Sequence, residues 1–351
     1  MSGVFFDARY IRPSFHDGIS RFSANLFAAM AEKIELTAIV CDEAQLEQLP
    51  PETKWVKLHA PTSALEPFSA LKLNRYKPDL VFSPMQTIGS MGRKFKLVLT
   101  IHDLIYYRHP KPPANLAPLI RLGWRLFHLT FMPERLLLAG CDAVVAVSET
   151  TATELRAKRL TKKPIGVVYN APEVHAVKGL QRKPAKSLVY MGTFMPYKNV
   201  ETVIRGVALL TGFKLELLSR ISPTREAELK SLADEVGAKV EFHRGVSDER
   251  YHELLGKATA LVSASLDEGF GIPVVEAMAQ GVPVVVSDIP IFREVAGDAG
   301  RFFEPRSPES FAAAIKATEA NPVNSKALQT QAEKFNWAAS ATELLKLIEK
   351  I

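Results

Sequence analysis

Residues 263–297 read SASLDEGFGIPVVEAMAQGVPVVVSDIPIFREVAG. The stretch opens as the end of an apolar strand, ALVSAS (260–265), and runs into an acidic loop, Asp267-Glu268-Gly269-Phe270-Gly271. A short helix should begin there, with Pro273 near its first turn and Gly281 just past its end, the asymmetry favoured at helix termini. A second apolar strand, PVVVS (283–287), follows. Strand, loop, helix and strand in so short a span is the unit of a parallel sheet with helices on its faces.

Reading outward, the same unit recurs along the chain. Candidate strands are 3–6, 36–40, 80–83, 96–101, 143–147 and 166–169, then 187–192, 214–219, 240–243, 260–265 and 283–287. Uninterrupted runs rich in Val, Ile and Leu suit strands covered on both faces. Helical patterns lie between them, at 20–32, 200–210, 225–236 and 248–258. This is a doubly wound α/β chain. Residues 172–186, PEVHAVKGLQRKPAK, lack an apolar period and carry Pro172 and Pro184, so they read as a linker between two strand series. Leu344, Leu345 and Ile348 mark a closing helix from Trp337 to Ile351. The expected domains are 1–172, a linker at 173–186, 187–336, and the C-terminal helix 337–351.

Composition narrows the class. A chain of 351 residues with 47% hydrophobic and 23% charged residues is ordinary globular protein of about two domains. Two cysteines, Cys41 and Cys141, exclude a disulfide scaffold and a CxxC zinc module. Asp7 and Arg9 interrupt the start where a secretory signal needs an apolar core, and no apolar run is long enough to span a bilayer, so a cytoplasmic location is expected. The formal charge of +6 is uneven. The half before residue 180 is clearly basic and the remainder near neutral, which favours an anionic partner for the first half, or else a solvated surface of no special purpose.

Several chemistries can be removed by spacing. There is no GxxxxGK[ST] phosphate loop, and Gly269-Phe-Gly271 is not followed by the third glycine of a dinucleotide fingerprint. His252-Glu253 has no zinc-helix histidine after it, and no GxSxG elbow occurs. No two aspartates are two residues apart, so no DxD is present to hold a metal–diphosphate. The basic half lacks the aromatic spacing of a nucleic-acid platform, and no nucleic-acid partner is expected.

What remains is the acidic loop and its helix. Gly269 and Gly271 leave room for a ligand against the backbone, and the helix N-terminus offers free N–H groups to an anion. Glu276, read as lying in the first turn, either pairs with the helix dipole or accepts two hydrogen bonds from a diol. Glu268, eight residues earlier, is either a turn carboxylate or a second ligand. A phosphate between two hydroxyl-bearing sugars would use all three elements.

This stretch resembles the EGFGxPxxEAMAxGxPVVxS signature, the E-x7-E motif, of the retaining GT-B glycosyltransferases of family GT4 (glycosyltransferase group 1). The resemblance runs along most of the chain: DGISRF (17–22), VLTIHDLIYYRHP (98–110), AVVAVSETTATEL (143–155), VVYNAPE (167–173), MGTFMPYKN (191–199) and VSDERYHELLGKATALVSAS (246–265) are similar to its other segments. It implies two Rossmann-like domains facing across a cleft, an N-terminal acceptor domain and a C-terminal nucleotide-sugar domain, with the last helix closing back toward the first.

The resemblance also implies roles. Glu276 would bind the ribose hydroxyls and Glu268 a hydroxyl of the donor sugar; the backbone of Gly269, Phe270 and Gly271 would reach sugar or phosphate. Lys198 would neutralise the departing diphosphate, and His102 would stand near the reacting carbon. Gly18 would let the first loop approach the phosphate and acceptor, and Val246 would contact the base. The family's arginine near the phosphate lysine is absent between Gly192 and Lys198, and Arg220 is the candidate substitute.

The expected reaction is metal-independent, cofactor-free transfer of a hexose from a GDP- or UDP-linked donor to a glycan or glycolipid of the cell envelope, with GDP-mannose first and a UDP-hexose second. A non-catalytic protein that binds sugar nucleotides is the alternative. One segment stands apart. Residues 111–140 mix Leu, Phe and Trp with Arg121, Arg125 and Arg135, which suits either a peripheral helix on an anionic membrane or a helix packed in the first domain's core.

Overall fold

The computed structural model describes residues 3–13, 17–110, 112, 117–173 and 185–351. The chain forms two compact units, one reaching to Asn170 and resuming over Asn336–Ile351, the other spanning Ala171–Phe335. The part of the expected linker from 174 to 184 lies outside the described residues.

The first unit is a seven-stranded sheet of β1 (Val4–Asp7), β2 (Leu36–Val40), β3 (Lys54–Lys57), β4 (Leu80–Ser83), β5 (Lys96–Ile101), β6 (Ala143–Ala146) and β7 (Ile165–Val167), in the order β3-β2-β1-β4-β5-β6-β7. All its pairings are parallel. Strands β1, β4 and β6 are buried at every residue, including the polar Asp7 and Ser83 that end the first two, as expected for strands covered on both faces. The edge strand β3, Lys-Trp-Val-Lys, is mostly exposed and has no unbroken apolar run, so no strand was expected there.

The second unit is a six-stranded parallel sheet of β8 (Ser187–Tyr190), β9 (Lys214–Leu217), β10 (Val240–Phe242), β11 (Ala260–Ser263), β12 (Val284–Ser287) and β13 (Arg301–Phe303), in the order β10-β9-β8-β11-β12-β13. Its core gathers Leu188, Leu215, Leu217 and Val262 from the sheet with Val203 and Ile204 from the helix Val200–Ala208 and Phe311 from the helix Pro308–Ala320. Gly206 is required where those two helices cross, because a Cβ would stand 2.3 Å from the Phe311 ring. The edge strand β13 has only three residues and begins with Arg301, which hid it from a pattern reading.

The final helix, Trp337–Glu349, belongs to the first unit. Asn336 caps it, its side chain accepting from the Ala339 N–H at 2.8 Å. Ser340 Oγ donates to the Tyr169 carbonyl at 2.7 Å, and the Trp337 ring meets Phe22 edge-on at 6.0 Å. Among the described residues, no helix is long and apolar enough to cross a membrane.

Residues 117–140 form two short helices, Pro118–Phe127 and Met132–Ala139. The first has no buried residue at all. The core-packing reading is therefore overturned for this helix, whose leucines face outward, while the second helix does reach the core through Leu138.

Candidate active site

In each sheet the chain winds outward first to one side and then to the other, so loops leaving adjacent strands diverge and open a crevice at the strands' carboxyl ends. In the second unit this switch point lies between β8 and β11, which pair in parallel although two strands intervene in sequence. Lys198 leaves β8 and Glu268 leaves β11. Both therefore belong to the one place where a sheet of this kind receives a ligand.

Lys198 ends a 3-10 turn, Pro196–Lys198, and Asn199 follows in the left-handed region at φ 51°. Asparagine enters that region more readily than most side chains. Its amide then donates to the carbonyls of Ala264, at 3.2 Å, and Pro305, at 2.6 Å. Leu266 N–H donates to the Tyr197 carbonyl at 2.8 Å. The loops after β8, β11 and β13 are thus stitched together by hydrogen bonds to main-chain carbonyls, and the side chains they carry converge. Lys198 Nζ lies 2.5 Å from Glu268 Oε1, with both side chains about 15% exposed. Ser265 Oγ, itself buried, donates to the same oxygen at 2.8 Å. Each charge offsets the other's desolvation, which a partly buried lone charge could not do. Tyr190 is buried beside this pair; burial, and secondarily the Glu268 carboxylate, holds its phenol protonated well above the usual range.

The loop then turns sharply. Gly271 sits at φ +96°, and a Cβ there would stand 2.9 Å from the Phe292 ring, so only glycine fits. It caps the helix Ile272–Ala279 without any side-chain hydrogen bond; Pro273 has no N–H and Val274 N–H donates to the Gly271 carbonyl at 2.9 Å, so the Ile272 N–H is the donor that the helix end offers to another acceptor. Phe270 is buried with its ring against Phe335 at 5.3 Å, which commits its side chain to the core and leaves its backbone on the loop with half-buried Gly269. Glu276 is the fifth residue of its helix and 4% exposed. It is not in the first turn, which removes the simple dipole-pairing role expected above. A carboxylate this deep in an apolar helix requires a polar purpose.

Arg220 and Val246 leave β9 and β10. Arg220 is exposed, its side-chain stem 3.0 Å from where a Cβ on Gly245 would be, and Gly245 N–H donates to the Leu218 carbonyl at 2.9 Å. Val246, half-buried, follows directly. A different arginine reaches the lysine loop: Arg225 Nε donates to the Phe194 carbonyl at 3.2 Å, while its guanidinium also pairs with Glu201 and Glu228.

In the first unit the switch point lies between β1 and β4. His102 follows β5, and its Nε2–H donates to the Pro84 carbonyl, just past β4, at 2.8 Å. That bond assigns the proton to Nε2 and leaves Nδ1 as an acceptor. Burial lowers the imidazole's pKa despite the carbonyl, so the ring is neutral near pH 7. Its edge packs on Phe22, 5.2 Å away, in the helix Gly18–Ala31. Gly18 is the exposed first residue of that helix, capped by Asp17, whose side chain accepts from Ser20 N–H at 2.9 Å.

Asn199, Ser265 and Tyr190 were not singled out by pattern. Only the Lys-Asn pairing at 198–199 hinted at the first of them. Among the described residues, one cluster has the makings of a metal site: Glu216 on β9, Glu241 on β10 and His243 just after it. Lys214 Nζ already sits 2.6 Å from Glu216 and 3.1 Å from Glu241, so an ammonium takes the cation's place.

Comparison with known proteins supplies the class first. The whole chain superposes on solved GT-B glycosyltransferase structures. HepE of Anabaena, solved with UDP and glucose, matches at a TM-score of 0.74 with 16% identity and 99% of both chains covered. The sucrose-phosphate synthase of Thermosynechococcus elongatus matches at 0.73 with 18% identity, covering 99% of this chain and 98% of the other. The fold is therefore GT-B. The family follows from sequence: residues 16–174 match the model of Glycosyltransferase Family 4 and residues 173–335 that of Glycosyl transferases group 1. The chain belongs to this family.

Among curated relatives, the O-antigen chain mannosyltransferase RfbU of Salmonella typhimurium is 30% identical over 228 residues, 64% of this chain and 61% of that protein. The GDP-mannose:cellobiosyl-diphosphopolyprenol alpha-mannosyltransferase of Xanthomonas campestris is 32% identical over 165 residues, 45% of this chain and 43% of that protein. The chain thus spans about three fifths of RfbU's length and less than half of the Xanthomonas enzyme's.

Proposed function

We propose that this chain is a retaining glycosyltransferase that moves a hexose, mannose in the first instance, from a nucleotide diphospho-sugar to a lipid-linked glycan or glycolipid. The observation that carries the reading is the convergence of Lys198 and Glu268 at the switch point, beside a helix N-terminus left open by Gly271. A nucleotide diphospho-sugar needs a cation at the diphosphate, acceptors for sugar hydroxyls and a close backbone approach. These residues offer all three. Lys198 and the helix end at Ile272 stabilise the charge that develops on the departing diphosphate. Glu268 accepts from a donor-sugar hydroxyl, and Glu276 accepts from the ribose diol. Gly269, Phe270 and Gly271 offer backbone, Val246 flanks the base, and Arg220 assists the phosphates from its exposed position.

In the first unit, neutral His102 accepts a hydrogen bond from a sugar hydroxyl through Nδ1, and exposed Gly18 lets a substrate approach the end of its helix. With Lys198 and a helix end to carry the diphosphate charge, the reaction needs neither a divalent metal nor an organic cofactor. The relatives named as mannosyltransferases, one of them for GDP-mannose and a diphosphopolyprenol acceptor, support the choice of donor and acceptor class. The same reading places the protein in the cytoplasm, at the face of the membrane where nucleotide sugars meet lipid-linked acceptors.

The test is a donor-hydrolysis screen over GDP- and UDP-linked hexoses, because slow hydrolysis needs no acceptor. Faster release of GDP from GDP-mannose than of nucleotide from the other donors is expected. Nucleotide binding with no hydrolysis of any donor would point to the non-catalytic alternative, and a preference for a UDP-hexose would move the donor assignment.

A further inference from the structure

A surface helix of a globular protein buries an apolar stripe and shows water its polar face. The helix Pro118–Phe127 does the reverse, and its successor Met132–Ala139 seats Leu138 in the core but leaves Met132 and Leu136 exposed. Half of the large hydrophobic side chains that stand exposed among the described residues fall between 119 and 136, with Leu119 80%, Leu129 72% and Leu136 70% exposed. Leu119, Leu122 and Leu126 follow at helical spacing, so they share one outward face. Contiguous apolar surface of this kind marks an interaction site.

The opposite side of these helices is firmly seated. Trp124 meets Tyr106 edge-on at 4.9 Å and lies over His128 at 4.1 Å, and Phe131 packs on Tyr107 at 4.3 Å. The outward face is thus built, not frayed.

Charge chooses the occupant. Arg121 and Arg125 flank the leucine face one turn apart, and Arg135 continues the basic rim. The Arg135 guanidinium donates to the carbonyls of Lys158 and Arg159, at 2.9 and 3.3 Å, which brings two more exposed cations alongside. The one acid between 117 and 140, Glu134, is buried. A second copy of this chain meeting the surface about a two-fold axis would oppose arginine to arginine. An anionic bilayer answers both features: leucines enter the boundary between headgroups and acyl chains while arginines stay at the phosphates.

We infer that the helices Pro118–Phe127 and Met132–Ala139 form a docking surface for an anionic lipid bilayer. The inference builds on the proposal of a lipid-linked acceptor, but binding can be measured without any transfer.

The experiment is co-sedimentation of the full chain with vesicles of phosphatidylglycerol and phosphatidylcholine, and with phosphatidylcholine alone. Binding to the anionic vesicles is expected, weakening as salt screens the arginines over about 8 Å at physiological ionic strength. Arg121→Gln with Arg125→Gln should lower the partition coefficient about thirtyfold, since each basic residue at such a surface contributes a factor of about five. Leu119→Asp with Leu126→Asp should abolish binding to either vesicle. None of the four positions is buried, so melting temperature and donor hydrolysis should match wild type and report an intact fold. Absence of binding to anionic vesicles at low salt, or binding that both variants retain, overturns the inference. So does a dimer on gel filtration that the leucine variant dissolves. Vesicle binding by a protein that hydrolyses no donor would instead sink the proposed reaction and leave the surface standing.

Discussion

Lys198 Nζ and Glu268 Oε1 lie 2.5 Å apart although 70 residues separate them in sequence. The pairing of β8 with β11 carries their loops to the same crevice, and Asn199 locks one loop to the other. In the proposed reaction the arriving diphosphate competes with Glu268 for the lysine, freeing the carboxylate for a sugar hydroxyl. One group then senses whether the other is occupied.

Lys198→Ala should lower the rate constant of donor hydrolysis by about a hundred- to a thousandfold, the usual cost of removing a donor aimed at developing charge. Single-turnover hydrolysis measures it. Glu268→Gln in the same background should cost less than it does alone, because the two side chains act as a unit. Near wild-type turnover of the lysine variant would remove Lys198 from the chemistry.

Glu276→Ala should weaken binding of the free nucleoside diphosphate. A charge-assisted hydrogen bond is worth about 1.5–3 kcal/mol, so calorimetric titration should show a loss of roughly tenfold or more. Melting temperature reported alongside separates this from damage to the helix Ile272–Ala279. Equal affinity of variant and wild type would leave the buried carboxylate with a purely structural part.

Chelation should leave donor hydrolysis largely intact. The expectation rests on Lys198 and the open N-terminus of the helix after Gly271 as carriers of the diphosphate charge. Loss of turnover with a chelator and its return with Mg²⁺ or Mn²⁺ would show that a cation shares that task.

The fourth prediction concerns stability. Burial pushes the Glu134 carboxyl up to about 7, against a weaker downward pull from the Tyr107 hydroxyl that donates to it at 3.3 Å. A raised folded-state pKa means the folded protein holds a proton that the unfolded chain has released. Stability from this group is therefore complete below the ordinary carboxyl range and is lost as pH rises through about 7. Glu134→Gln removes the titration. Between about pH 5 and pH 8 its stability should improve relative to wild type by on the order of 2 kcal/mol, read from denaturant midpoints at each pH. Parallel pH profiles would show that the carboxyl ionises without penalty.

The architecture was largely legible in the chain itself. Runs such as Leu-Val-Phe at 80–82 and Ala-Val-Val-Ala at 143–146 are apolar at every position because helices cover both faces of their sheet, and that constraint acts residue by residue. The turn at Gly271 and the helix after it were legible for the same local reason: φ, capping and proline placement are decided by neighbours in sequence. Edge strands obey no such rule. One face or one ladder of Lys54–Lys57 and Arg301–Phe303 meets solvent, so their composition carries little signal.

Contacts between distant residues were decided only by the tertiary structure. That Glu268 takes both Lys198 and Ser265 as partners, and that Asn199 ties three loops together, follows from strand order, which periodicity does not encode. The depth of Glu276 and the outward turn of Leu119, Leu122 and Leu126 belong to the same category. An amphipathic pattern states that a helix has an apolar face. Whether that face meets a protein core or a lipid surface depends on what the rest of the chain packs beside it, and burial is a property of the assembled fold.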